Sequence, residues 1–85
     1  MSILESDIVE EFDITFFQDG MYQEQYDYLN NRREEWRKFV ERRMGAISDA
    51  AFQHEADNFF NATTAELDRI SAQCRKENKR VISHV

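Results

Sequence analysis

The sequence predicts an all-α fold: a short N-terminal helix or arm followed by a long antiparallel helical hairpin, completed by dimerisation or by a partner. Three observations carry that prediction. Proline is absent and glycine occurs only at Gly20 and Gly45, whereas a small β domain needs many turn residues. Two long stretches place apolar residues at steps of three and four, the spacing of one helix face. The two glycines stand at the edges of the first of these stretches.

The first element is the hardest to read. Ser2-Ile3-Leu4-Glu5 has the form of a capping box, and Leu4, Ile8, Phe12 and Phe16 recur every fourth residue, so a helix is expected from about Ile3 to Phe12 or beyond. Phe12-Asp13-Ile14-Thr15-Phe16 also alternates like a strand. A lone strand would need a second chain to pair with. The helix is therefore preferred, with Phe16-Phe17-Gln18 extended before the Asp19-Gly20 turn.

The second element follows from Tyr22, Tyr26, Leu29, Trp36, Val40, Met44 and Ile47, which predict a helix over residues 21–44 ending at Gly45. Arg33 and Arg43 occupy slots where this rhythm expects an apolar side chain. The third element follows from Phe52, Ala56, Phe59, Phe60, Thr63, Leu67, Ile70, Cys74 and Val81. Thr63-Thr64-Ala65-Glu66 could start a new helix, but the apolar phase runs through it unbroken. One helix is therefore expected from Asp49 to Lys79 or Arg80, with Ser48 or Asp49 as its N-cap. The short connector 45–48 makes the two long helices antiparallel neighbours. Trp36 then falls near Phe59, Leu29 near Leu67 and Arg43 near Phe52.

With 85 residues the chain forms one domain that buries only about 60–65% of its unfolded surface, which argues against a deep substrate cleft. Its single cysteine, Cys74, cannot form an internal disulfide, which suits a reducing compartment. No stretch approaches the roughly 18 apolar residues of a membrane span, and the N-terminus is acidic where a signal peptide is basic. A cytoplasmic protein, or one delivered to a host cytoplasm, is expected.

Chemistry is sparsely represented. His54 and His84 are far apart in sequence, and no Cys pair, Glu-x-x-His pattern or glycine-rich phosphate loop occurs, so neither a metal site nor a cofactor is expected. Cys74 lies in an apolar stripe with no base one turn away on its face, the setting of a small buried hydrophobe. The chain is read as a non-enzyme.

Charge is the informative feature. The net charge is −6, and residues 1–28 carry eight acids without a Lys or Arg, while residues 29–85 carry nine acids and eleven bases. Such asymmetry implies internal pairing or a charged partner. Arg32–Arg43 is dense in bases, yet they surround the helix instead of sharing one arc, and Glu34, Glu35 and Glu41 are spaced to pair with them. Arg33 and Arg43 need carboxylates, which the acidic segment or a partner must supply. The second basic cluster, Arg69–Arg80, falls at the end of the last helix, where cations complement the dipole, and alongside the acidic segment.

These features predict a protein-interaction module, a small acidic adaptor, chaperone or inhibitor acting on a partner with a basic surface, such as a nucleic-acid-binding site. Its expected contacts are Glu5, Asp7, Glu10, Glu11 and Asp13, together with Tyr28, Arg33, Trp36, Phe39 and Arg43. Eleven aromatic residues are many for a lone hairpin, and Tyr28 and Phe39 fall at the edge of the stripe, which predicts a homodimer or partner surface. The rival reading is a nucleic-acid-binding regulator that uses Arg32–Arg43 and Arg69–Arg80.

Overall fold

The computed structural model describes residues 5–81. Every regular element in it is a helix: α1 (Glu5–Phe16), α2 (Gln23–Arg43) and α3 (Asp49–Lys76). The Ser2–Glu5 capping box lies outside the described residues, as does the expected start at Ile3.

α1 extends to Phe16, and Phe17 N–H still donates to the Asp13 carbonyl at 3.1 Å. The expected extended segment at Phe16 is thus corrected to helix. Exposure gives the reason. Phe12 and Phe16 are 0% and 6% exposed while Ile14 between them is 79% exposed, whereas a strand would put all three on one face. Gly20 then turns the chain with φ +80°, a conformation that suits glycine.

α2 begins with a hydrogen-bonded relay through Gln25 that the sequence does not announce. The Tyr22 N–H donates to Gln25 Oε1 at 2.9 Å, and Gln25 Nε2 donates to the Leu67 carbonyl of α3 at 3.1 Å. The buried amide therefore has both ends satisfied, as burial of a polar group requires. The helix ends at Arg43, and Gly45 follows the Met44 C-cap with φ +82°.

α3 is one unbroken helix through Thr63-Thr64, capped at its start by Ser48, whose Oγ accepts from Ala51 N–H at 3.2 Å. Thr63 caps nothing: its fully buried hydroxyl donates to the Phe59 carbonyl at 2.8 Å and accepts from Arg32 Nε at 2.9 Å. The helix stops at Lys76, short of the expected Lys79. Asn78 takes φ +59°, Asn78 N–H donates to the Arg75 carbonyl at 3.1 Å, and Lys79 N–H donates to the Cys74 carbonyl at 2.9 Å. This is a Schellman C-cap with asparagine in the left-handed position. It takes Lys79 and Arg80 out of the helix.

The core forms where the helices meet. Trp36, Phe12, Leu29 and Val40 are buried together, and Trp36 lies 5.3 and 4.9 Å from the rings of Phe59 and Phe60. Phe12 and Phe16 reach Phe60 at 6.1 and 5.0 Å. The Trp36 indole N–H donates to the Ile8 carbonyl at 3.1 Å, fixing α1 against α2. Contacts between α2 and α3 run from Arg43 with Glu55, through Trp36 with Phe59 and Arg32 with Thr63, to Glu24 with Cys74. The long axis of the molecule is 45 Å, close to the roughly 42 Å of a 28-residue helix. α3 therefore sets the length, and the twelve-residue α1 can cover only part of it.

Candidate functional site

Towards the α2–α3 connector, α1 and α3 leave between them a trough of about 640 Å³. Its floor is apolar: Ile8 from α1, Trp36 from α2, and Phe52, Ala56 and Phe60 from α3. The α3 contribution repeats every four residues, which is one helix face. Its rim is acidic. Asp7 and Glu11 come from α1, one turn apart, and Asp49 and Asp57 come from α3. Among the described residues no Lys or Arg lines the trough. Asp49 also stands in the first turn of α3, where a carboxylate complements the helix dipole, and Asp57 accepts from Gln53 Nε2 at 2.9 Å.

The cations of Arg32–Arg43 are directed elsewhere, and mostly consumed within the fold. Arg33 Nε donates to Asp13 Oδ1 at 2.8 Å, with the guanidinium 4.4 Å from the centre of the Phe17 ring. Arg43 meets Glu55 of α3 at 3.9 Å. The acidic N-terminal segment thus supplies a carboxylate for Arg33 and α3 supplies one for Arg43. Arg37 pairs with Glu34 at 3.5 Å.

Arg32, which lies beside the seam position of Arg33, is the most enclosed of these cations. Its side chain is 20% exposed, against 34% for Arg33. It binds Thr63 Oγ1, the Phe59 carbonyl and Glu35, and lies 3.6 Å from the centre of the Phe59 ring. The signal was present, since position 32 is three after Leu29 and four before Trp36. Lys38 and Arg42 remain exposed.

The other expected contact residues separate into groups. Asp7, Glu11 and Trp36 come together at the trough, and Glu10 is exposed beside them on α1. Asp13 is engaged by Arg33. The side chain of Glu5 lies outside the described residues. Phe39 is half-buried, stacked 5.2 Å from Trp36 and 5.3 Å from Phe52. Tyr28 is half-buried at the opposite end, beside Ile70 and Cys74. Among the described residues the large exposed hydrophobics are Ile14 and Val81. Asp49 and Asp57 were not anticipated, although Asp49, Phe52, Ala56, Asp57 and Phe60 share one helical face.

A second polar cluster ties the ends of α2 and α3 together. Glu24 accepts from Cys74 Sγ at 2.9 Å and from Lys79 Nζ at 3.1 Å, and Lys79 also meets Glu77 at 3.4 Å. The Cys74 hydrogen bond first, and Lys79 second, hold the Glu24 carboxyl below its ordinary 4.5. Glu66 is lowered by Arg69, and Glu77 by Gln73 and Lys79. A carboxyl lowered in this way binds fewer protons folded than unfolded. Its contribution to stability is complete above the unfolded value and is lost as pH falls through the folded one. Thermal melts followed from about pH 6 to about pH 3 should therefore show falling stability, with a shallower fall in Glu24→Gln. An equal slope in that variant would remove Glu24 as a source.

Burial, followed by the bond to Glu24, pushes the Cys74 thiol upward. The thiolate is the reactive form, so thiol reagents should modify the folded protein slowly and the urea-unfolded chain rapidly. Fast native labelling would contradict the buried setting of this side chain.

Among the described residues no group of three His, Cys, Asp or Glu side chains is placed to hold a metal ion, and no helix is long and apolar enough to cross a membrane. Comparison of the chain with protein-family models, with curated proteins and with solved structures finds no match.

Proposed function

We propose that α2 and α3 act as an antiparallel hairpin braced by α1, and that this unit is a non-enzymatic, cytoplasmic protein-interaction module for a partner with a basic surface. The observation that carries this reading is the division of charge. Arg32, Arg33, Arg37 and Arg43 each face a carboxylate of the same chain, whereas Asp7, Glu10 and Glu11 stand exposed on α1. Free anions remain on α1 to steer a basic partner, while on α2 only Lys38 and Arg42 are left to gather phosphates, and the exposed Arg75, Lys76 and Arg80 stand apart at or beyond the far end of α3. An adaptor or inhibitor that occupies a nucleic-acid-binding surface would use such a face.

The test combines two measurements on the full chain. Capture from native host lysate should recover a basic protein that is released by salt and lost in the triple variant Asp7→Asn, Glu10→Gln, Glu11→Gln. Mobility shifts with DNA and RNA should show no binding. Salt-sensitive nucleic-acid binding that strengthens in the triple variant would instead make the chain a regulator acting through Arg32–Arg43 and Arg69–Arg80. Removal of residues 1–19 is a poorer test, because it strips Phe12 and Phe16 from the core. Light scattering tests the homodimer: a concentration-independent mass near 10.2 kDa would exclude it.

A further inference from the structure

We infer that the trough between α1 and α3 is the seat of a basic amphipathic helix of the partner protein. This rests on the function just proposed and adds the shape of the ligand. Both walls are helices, and neither offers the free strand edge that an extended peptide would join. The α3 wall from Asp49 to Phe60 spans about 16 Å, or three helical turns. α1 and α3 touch through Phe12, Phe16 and Phe60, and the trough opens from that closure towards the connector. A fourth helix laid there would complete a four-helix arrangement.

Charge selects among occupants. The ligand must place apolar side chains on Ile8, Phe52 and Phe60 and cations on both flanks, towards Asp7 and Glu11 on one side and Asp49 and Asp57 on the other. Helical periodicity provides a central apolar stripe with two charged borders, whereas a strand presents only two alternating faces. A second copy of this chain would bring its own net charge of −6 towards an acidic rim. The occupant is therefore a Lys/Arg-flanked helix with apolar residues at i, i+3, i+4 and i+7.

The test is display selection of a random peptide library of about sixteen residues, long enough for a helix to form, against the full-length chain. Enriched peptides should carry that apolar spacing with Lys or Arg on both borders, and should shift the emission of Trp36. Gln53→Arg, a change at an exposed position in the trough, should weaken them at least about tenfold. Joint replacement Asp7→Asn, Glu11→Gln, Asp49→Asn, Asp57→Asn should do the same while leaving the circular dichroism spectrum intact. Enrichment of cationic peptides without helical spacing, or binding indifferent to Gln53→Arg, would overturn the helix-in-trough inference and leave the acidic-face reading standing. Failure to enrich any cationic peptide would overturn the inference, and only loss of the salt-released lysate partner would remove the wider reading. A concentration-dependent doubling of mass abolished by Gln53→Arg would give the trough to a second copy and also overturn it.

Discussion

Trp36→Ala is expected to destabilise the protein by about 3–5 kcal/mol, the range for removing a large buried aromatic side chain. Trp36 is 2% exposed and touches all three helices, through the Ile8 carbonyl in α1, Phe39 in α2 and Phe59 and Phe60 in α3. Its loss leaves a cavity at their junction and frees the Ile8 carbonyl. A small domain has only about 5–15 kcal/mol in total, so much of the margin would go. Urea titration followed by far-UV circular dichroism measures the change, as a lower midpoint at unchanged slope. Trp36→Phe should cost less, since it retains most of the ring contacts and forfeits the indole hydrogen bond, worth about 0.5–1.5 kcal/mol. Equal losses in the two variants would show that the hydrogen bond, and not packing, dominates.

Phe12→Ala is expected to cost a similar 3–5 kcal/mol, with a distinct consequence. Phe12 is fully buried and packs against Phe16, Phe59 and Phe60, so it is the main apolar anchor of α1. Hydrogen exchange should show α1 opening before α2 and α3, because a region with few remaining buried contacts unfolds locally. Uniform loss of protection in all three helices would mean that α1 does not separate from the rest. The two alanine variants should not be additive, since both side chains pack on Phe59 and Phe60.

Much of this arrangement is legible in the sequence. α2 and α3 are set out by apolar steps of three and four, and the continuity of α3 through Thr63 is readable because the phase does not slip there. What escapes is set by tertiary contacts. Phe12-Asp13-Ile14-Thr15-Phe16 satisfies both periodicities, and only the common target of Phe12 and Phe16, the Phe60 ring, makes it a helix. The end of α3 depends on Asn78 adopting a left-handed conformation that glycine more often supplies. The sequence leaves open whether the acidic segment or a partner faces Arg33, and the fold supplies Asp13 of that segment. Arg32 was underrated because two neighbouring residues, 32 and 33, both satisfy the spacing, and the choice depends on which helix lies on which side of α2.

The site was half legible. Asp7 and Glu11 were visible as acids, and Trp36 as an aromatic in the stripe. That Asp49 and Asp57 join them across the trough follows only once α1 is docked beside α3. The acidic surface is therefore not a property of the N-terminal segment alone, but of two helices brought together over a shared apolar floor.

Carbodiimide cross-linking of the full-length chain in native host lysate, which joins carboxylates to lysines at contact distance, shows whether a basic helix lies in the trough. Cross-links are expected from Asp7, Glu11, Asp49 and Asp57 to lysines within one helical segment of a single basic protein. Cross-links confined to carboxylates away from the trough, such as Asp27, Glu34 or Asp68, would contradict this placement.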